Sequence, residues 1–167
     1  MSRLRRYYSP GNTYFITVVT FDRRPILLDN IDLLYDAFDF TCSRLPYNTL
    51  AYVILPEHFH LIVNPGENSL SDIIKIIKLR FSGKYRHCHR MKSGRLWQLR
   101  FWDHIIRNQK DLNQHIDYTH YNPVKHGQVA WPIDYCHSSF REYIMDGYYS
   151  LDWGEGSGIG FDGEYGE

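Results

Sequence analysis

The sequence predicts a single α+β domain in which one antiparallel β-sheet carries the helices packed on it. Four short β-branched and aromatic runs alternate with three segments of helical periodicity, in the order β-α-β-β-α-β-α. Two of these runs, 50–55 and 58–63, are separated only by Pro56 and Glu57, which favours an antiparallel hairpin. A length of 167 residues allows one hydrophobic core and little more.

The first half of the chain provides three strands and one helix. Residues 14–21 (YFITVVTF) follow a turn signal and predict a strand. Residues 31–45 carry apolar side chains at helical spacing and stop before Pro46, which predicts a helix. The runs 50–55 (LAYVIL) and 58–63 (HFHLIV) form the two strands of the hairpin.

The second half provides two helices with a strand between them. A basic amphipathic helix begins at Ser69 or Ser71, and residues 87–95 predict a loop. Residues 97–106 (WQLRFWDHII) predict a fourth strand. The last helix begins near Asp111 and is expected to end near Asn122, because Pro123 follows.

Charge divides the chain at about residue 145, although the net charge is zero. Residues 1–145 carry 19 basic and 13 acidic side chains, or +6, and residues 146–167 carry −6. We therefore predict a domain at 1–145 and an acidic, Gly-rich, flexible tail at 146–167. One hypothesis is that this tail mimics DNA and lies over a basic groove; the alternative is a tail that only confers solubility.

Composition narrows the class of function. The longest apolar runs are too short for a membrane helix and no signal-peptide pattern opens the chain, so we expect a cytoplasmic protein, close to the nucleoid and away from membranes. Three cysteines at scattered spacings predict free thiols. A basic body with 16% aromatic residues favours a nucleic-acid partner.

Two histidines form a candidate metal site. His58 and His60 lie two apart in a predicted strand, so both imidazoles point to one face of the sheet. Two ring nitrogens on one face can hold a metal ion. The alternative interpretation is a pair of half-exposed strand histidines that bind nothing.

A tyrosine and an asparagine form a second candidate pair. Tyr118 and Asn122 lie four apart on the last predicted helix and therefore on one face. The amide oxygen of Asn122 could complete a set of metal ligands with two histidines, and the Tyr118 phenol could act as a nucleophile one turn away. The alternatives are a core aromatic at 118 and a helix-ending residue at 122.

Together the two pairs resemble the IS200-like superfamily of single-tyrosine transposases. The histidine-hydrophobic-histidine motif of that superfamily matches 55–63 (LPEHFHLIV), and the tyrosine helix of its REP-associated branch is similar to 115–125 (HIDYTHYNPVK). Three further stretches match this branch: WQ-RFWDH at 97–104 followed by Arg107, RYY at 6–8 and YFIT at 14–17. Asn122 stands where transposases of insertion sequences typically carry Gln, which indicates the REP-associated branch. The likeness covers roughly residues 5–143.

This resemblance implies a ferredoxin-like HUH nuclease fold and a mechanism of DNA transposition and recombination. Tyr118 would cut single-stranded DNA beside REP-type DNA hairpins and form a 5′-phosphotyrosine. His58, His60 and Asn122 would hold a divalent metal, Mg²⁺ or Mn²⁺. One tyrosine per chain leaves both a monomer and a homodimer open.

Basic and aromatic residues provide candidate DNA contacts at three places. The first is the N-terminus, whose alternative is a frayed basic end. The second is the stretch 75–110, with eleven cations against Asp103 alone, whose alternative is an ordinary solvated helix face. The third is the end of the last helix, where the alternative is a solvated lysine. The predicted DNA-binding residues are Arg5, Arg6, Tyr7, Tyr8, Lys75, Lys78, Lys84, Arg86, Arg100, Arg107 and Lys125.

The sequence leaves two other functions open. A rolling-circle-type initiator nuclease would use the same chemistry but usually has a further domain, for which 167 residues leave no room. A non-catalytic DNA-hairpin-binding protein would have lost the site, whereas His58, His60, Tyr118 and Asn122 are all present.

Overall fold

A computed structural model describes residues 11–155 and 158–167. Its strands are β1 (Tyr14–Val19), β2 (Asn48–Ile54), β3 (His58–Asn64) and β4 (Trp102–Ile105). They form a four-stranded antiparallel sheet in the order β2-β3-β1-β4, and the predicted α+β class is confirmed. The helices are α1 (Ile31–Arg44), α2 (Leu70–Cys88), α3 (Gln109–Lys125) and α4 (Phe140–Met145).

Side-chain alternation in β1 and β3 sends two sets of residues to opposite faces of the sheet. Ile16, Val18, Phe59 and Leu61 form the first core beneath α1 and α2. The second core covers the other face, where α3 packs on β2 and β3. Its members include Phe15, Ile62, Leu112 and Ile116. Since residues 58 and 60 share the parity of Ile62, α3 lies on the same side of the sheet as the histidine pair.

The fourth strand is shorter than predicted. Trp97 forms a bridge with Thr20 and the Gln98 N–H bonds to the Val19 carbonyl, but regular pairing resumes only where Trp102 meets Thr17. The six residues from Trp97 to Trp102 therefore span the same length of sheet as the four residues from Thr17 to Thr20. The two extra residues loop out of the sheet, and Leu99 at this place is 80% exposed.

The predicted end of the last helix at Asn122 is wrong, because α3 continues through Pro123 to Lys125. A proline removes one N–H donor, and here the loss falls in the final turn of the helix. The turn is held by the His126 N–H on the Asn122 carbonyl and by burial of Tyr121, Asn122 and Pro123. Helix α3 also begins two residues earlier than expected, because Asn108 caps it and accepts from the Asp111 N–H at 3.0 Å.

The chain beyond residue 145 packs against the second core. Tyr148, Tyr149 and Tyr165 are buried there, although the acidic carboxylates nearby are largely exposed. The division into a domain at 1–145 and a flexible tail at 146–167 stays a prediction. Among the described residues, every helix is too short or too polar to cross a lipid bilayer.

Candidate active site

The structure brings the histidine pair of β3 and the tyrosine of α3 together. The His58 and His60 rings lie 4.9 Å apart between centroids, and the Tyr118 ring lies 5.6 Å from that of His60. Both imidazoles and the Asn122 side chain are fully buried, and Tyr118 is 1% exposed. Two pairs of residues that are distant from each other in sequence therefore share one small space between the sheet and the helix.

Hydrogen bonds behind the two imidazoles fix their orientation. The His58 Nδ1–H donates to the Glu57 carboxylate at 3.0 Å. The Thr17 hydroxyl donates to the Tyr165 carbonyl at 2.6 Å, so its oxygen accepts from the His60 Nδ1–H at 2.8 Å. Both rings consequently turn Nε2 toward the Glu167 carboxylate, which also accepts from the Asn122 amide. This is the tautomer that a metal-binding histidine requires.

The carboxylate of Glu167 lies in the middle of this space. One oxygen, Oε1, is 3.0 Å from His60 Nε2, 3.6 Å from His58 Nε2 and 2.6 Å from Asn122 Nδ2. The other oxygen, Oε2, accepts from the Lys125 ammonium and lies 3.1 Å from His126 Nε2. An anionic group thus has a position between the histidine pair and the basic end of α3.

The electrostatics of the site follow from burial and from this one carboxylate. Burial would raise the pKa of Glu167, but the neighbouring imidazoles and the Lys125 ammonium hold that pKa far below the usual range. Burial raises the pKa of the Tyr118 phenol well above its ordinary value, and Glu167 raises it further. The phenol beside the docked carboxylate is therefore a weak acid and a poor nucleophile.

The two histidines differ in their protonation. Burial lowers the pKa of His60 to about 4, with Glu167 opposing the shift. Burial also lowers the pKa of His58, but the carboxylates of Glu167 and Glu57 outweigh that effect and the net shift is upward. His60 is therefore neutral near pH 7, with its Nε2 lone pair aimed at a carboxylate oxygen.

The donor set fits a divalent cation. His58, His60 and Glu167 offer ligand atoms that all lie within 4.8 Å of one another. Within the described residues, His58 Nε2 and the Asn122 Oδ1 atom have no hydrogen-bond partner. Neighbouring ligands of an octahedral ion with bonds of about 2.1 Å lie about 3 Å apart, and a cation would relieve the repulsion between the His60 lone pair and the carboxylate.

An aromatic residue two positions before Glu167 covers the predicted nucleophile. The Tyr165 ring stacks on Tyr118 with 3.6 Å between centroids and 9° between planes. Gly166 then passes under Trp102 with a φ of 75°, and a Cβ there would lie 2.5 Å from that side chain. The end of the described chain therefore fits closely into the site.

Sequence reasoning missed several residues of the site, among them His126 and Glu167. His126 follows Asn122 by four positions and so lies on its helix face, but the expected helix end at Asn122 hid this i,i+4 signal. Glu167 lies in a segment where neither periodicity nor a motif indicates contact with the domain.

A second cluster joins β4 to α3. The Asp111 carboxylate lies 2.9 Å from His104 Nε2 and 3.0 Å from His115 Nδ1, and the two rings stack at 4.5 Å. The His115 Nδ1–H also donates to the Asp111 carbonyl. Because that nitrogen donates to a backbone carbonyl, we interpret this cluster as a structural contact that holds β4 against the start of α3.

The predicted DNA-binding residues fall into three groups. Arg5, Arg6, Tyr7 and Tyr8 lie outside the described residues. Lys125 is in the site itself. The other predicted residues lie along α2 and in the segment between α2 and α3. They are Lys75, Lys78, Lys84, Arg86, Arg100 and Arg107.

A groove between α2 and residues 95–103 holds most of this last group. Its volume is about 670 Å³, and Ile74, Leu96 and Phe101 are among its apolar lining residues. Lysine and arginine side chains edge it, namely Lys75, Lys78, Arg86, Arg95 and Arg100. Lys84 differs from these, because its ammonium pairs with the Asp36 carboxylate at 2.6 Å.

The fold and the site define a class: a sheet-borne histidine pair facing a tyrosine on a helix, which is the arrangement that the resemblance to IS200-like transposases implies. The model of that family, described as "Transposase IS200 like", matches residues 10–122. A REP-associated tyrosine transposase of Escherichia coli K12 is 39% identical over 156 residues, covering 92% of this chain and 91% of that protein. A Haemophilus influenzae protein, provisionally given the same designation, is 39% identical over 165 residues, covering 92% and 94%.

A solved structure extends the similarity to the whole chain. It is that of a REP-associated tyrosine transposase bound to a REP hairpin, with a TM-score of 0.81 and 37% sequence identity. The similarity covers 100% of this chain and 98% of that one. The chain therefore belongs to the IS200-like transposase family, in its REP-associated tyrosine transposase branch.

Proposed function

We propose that this protein is a site-specific endonuclease and strand transferase for single-stranded DNA, acting beside REP-type hairpins through a 5′-phosphotyrosine intermediate. The observation that carries the proposal is the position of the Glu167 carboxylate. An anion lies between the histidine pair and the basic end of α3, next to the Tyr118 hydroxyl. A scissile phosphate is also an anion and would take that place once Glu167 leaves.

In the proposed reaction the Tyr118 oxygen attacks the phosphorus in line. The new bond joins phosphorus to the phenol oxygen, and the bond from phosphorus to the 3′-oxygen breaks. The phenol proton passes to solvent, and the departing 3′-oxygen takes up a proton from solvent and leaves as a 3′-hydroxyl. Because the phosphotyrosine ester keeps the bond energy, a second 3′-hydroxyl can reverse the step and join a different strand.

Lys125 assists the nucleophile. Its ammonium donates to the Tyr118 oxygen at 2.9 Å and lies 4.8 Å from the ring centroid. A positive charge at that distance favours the phenolate over the phenol. With Glu167 displaced, the same ammonium and His126 Nε2 would also face a non-bridging oxygen of the phosphate.

His58, His60 and Asn122 would hold a divalent metal ion. When bound, the ion would polarise a non-bridging phosphate oxygen and orient the phosphate. Two imidazoles suit Mn²⁺ better than Mg²⁺, while physiological abundance favours Mg²⁺. The hydrogen bonds of Glu57 and Thr17 keep both Nε2 atoms turned toward that position.

The relatives and the groove support the proposed substrate class. The structural relative is bound to a REP hairpin. In this chain the groove between α2 and residues 95–103 would contact the phosphates of a hairpin stem through its basic edge, which is a salt-dependent interaction. One or two copies of the chain would act on each DNA site, as monomer or homodimer.

The test is the substitution Tyr118→Phe, assayed on labelled single-stranded DNA that carries a REP hairpin, with Mn²⁺. We expect loss of cutting and of the covalent protein–DNA adduct, with hairpin affinity within a few fold of wild type. Tyr121→Phe, on the same helix, is the matched control and should cut normally. Undiminished cutting by Tyr118→Phe would exclude Tyr118 as the nucleophile.

One observation favours a second candidate function. Glu167 and Tyr165 fill the site, as would suit a hairpin-binding protein that no longer cuts. The two functions separate in the same assay: a protein that binds the hairpin but never forms an adduct, even after Glu167→Gln, is a binding protein only.

A further inference from the structure

The Tyr165 ring occupies a closed aromatic slot beside Tyr118. Besides the parallel stack on Tyr118, it meets the edge of Phe15 at 5.9 Å and of His115 at 5.3 Å. The residue is 7% exposed. A flat ring is thus held on one face by a parallel aromatic ring and along its rim by two further rings.

The far end of this slot is polar. The Gln114 amide donates to the Tyr165 hydroxyl oxygen at 3.2 Å and to the Asp162 carbonyl at 2.9 Å. An aromatic platform with a side-chain amide at the rim is the chemistry that recognises a nucleobase, because stacking is indifferent to sequence whereas an amide reads the base edge. The slot therefore has one feature for binding and another for selection.

The slot and the anion position are joined in the order that a nucleotide requires. Tyr165 and Glu167 are two residues apart, which is about 7 Å of extended chain. Gly166 between them lies against Trp102, where a side chain would clash. The segment from 165 to 167 presents a flat ring and then an anion, as a nucleotide presents a base and a phosphate.

We propose that the Tyr165 slot is a nucleobase subsite, in which the base of the nucleotide next to the scissile phosphate stacks on Tyr118 and is read by Gln114. This inference rests on the proposed function, since it assigns the nucleotide that adjoins the reacting phosphate. The occupant is an unpaired DNA base, and Tyr165 takes its place when no substrate is bound. Gln114 becomes a specificity-determining residue of the cutting step.

The first experiment changes the DNA. Abasic nucleotides are placed one at a time on either side of the cleavage position in a hairpin-bearing single strand, and cutting by the full-length protein is measured. We expect one adjoining position to lower kcat/KM by about tenfold or more, as the loss of one stacked base implies. More distant unpaired positions outside the hairpin should change it less. If an abasic nucleotide changed kcat/KM equally at the two adjoining positions, the proposed subsite would be overturned.

The second experiment changes the protein. Gln114→Ala should reduce the preference among the four bases at the sensitive position, while Gln128→Ala, an exposed glutamine beyond α3, should keep the wild-type preference. In Tyr165→Ala the abasic penalty should persist, because the slot remains. An unchanged base preference in Gln114→Ala would show that Gln114 does not read the base.

A third measurement needs no cutting. In Tyr118→Phe, which keeps the ring, 2-aminopurine at the sensitive position should lose fluorescence when the DNA binds, because it stacks. Failure of the proposed function shows as continued cutting by Tyr118→Phe. Failure of the subsite alone shows as lost cutting in that variant together with indifference to every abasic position and unquenched 2-aminopurine.

Discussion

At the scale of single residues, the site consists of groups whose chemistry depends on one carboxylate. One carboxylate oxygen of Glu167, Oε1, lies against the His60 imidazole, and the other, Oε2, accepts from the Lys125 ammonium. It raises the pKa of Tyr118 and occupies the place proposed for the phosphate. The contacts of Glu167 support the hypothesis that the acidic tail mimics DNA. Exposed carboxylates such as Glu164 make no such contact with the site in the described structure.

Glu167→Gln should increase the initial cutting rate by about tenfold, since hydrogen bonds to a charged group contribute ~1.5–3 kcal/mol each and their loss favours the open site. The measurement is single-turnover cutting at low salt. Glu164→Gln removes the same charge from an exposed position nearby and should leave the rate unchanged. If both variants behave alike, net charge controls the activity and the docked carboxylate does not.

Thr17→Val should weaken Mn²⁺ binding by about 10- to 100-fold, because the hydroxyl that orients His60 is lost. Isothermal titration calorimetry measures this without DNA. Thr41→Val, a buried threonine in α1, is the control for loss of a hydroxyl elsewhere. Equal Mn²⁺ affinity in Thr17→Val and wild type would mean that the Thr17 bond does not set the tautomer of His60.

At the scale of elements, local pattern predicted what local physics decides. Alternation along β3 predicts that His58 and His60 share one face, and i,i+4 spacing on α3 pairs Tyr118 with Asn122, from the sequence alone. The end of α3 was missed because proline costs one hydrogen bond, and burial of the last turn offsets that cost. The loop-out at Leu99 depends on pairing with β1, which the sequence of 97–106 does not contain. Helix α4 escaped prediction because it is six residues long and acquires its register from the second core.

Helices α1 and α2 are linked by an ion-pair group with a pH-dependent effect. Asp36 accepts from Arg80 at 2.8 Å and pairs with Lys84, and these bonds lower its pKa to about 2. A lowered carboxyl pKa stabilises the fold above the unfolded value near 4 and loses that effect as pH falls toward 2. Asp36→Asn should therefore lower the melting temperature at pH 6 and make little difference at pH 2.

The expected contribution of this group is below ~1 kcal/mol, because its side chains are about one-third exposed. Thermal unfolding between pH 6 and pH 2 measures it. Asp39→Asn, an exposed aspartate on the same helix, should show a smaller dependence on pH. A stabilisation by Asp36 that is constant across this range would contradict the assigned charge interaction.

At the scale of the whole molecule, positive charge occurs in two regions. In the groove it is available to DNA, and in the site it is paired with a carboxylate of the same chain. Lys75, Arg95 and Arg100 at the edge of the groove are exposed to solvent, whereas the −6 of residues 146–167 includes Glu167, whose carboxylate enters the site. Composition predicted the opposite signs of the two parts. It could not predict where the tail docks, because a Gly-rich segment has no periodicity to indicate a partner.

Lys75→Ala and Arg100→Ala should each weaken hairpin binding by a similar factor for all stem sequences and reduce the salt slope by about 1, because phosphate contacts carry no sequence information. Fluorescence anisotropy across a salt series measures both quantities. Arg44→Ala, on α1 and outside the basic stretch, is the control. A slope that equals wild type in both groove variants would place the hairpin elsewhere.

The docked position of Tyr165 and Glu167 also determines which DNA can compete. A tethered ligand has a local concentration in the millimolar range, so a free strand at lower concentration is excluded from the site by mass action. A strand that continues from a hairpin already bound to the same protein is tethered as well and competes on equal terms. We therefore expect the enzyme to ignore random single strands and to act where a folded DNA element holds the strand in place.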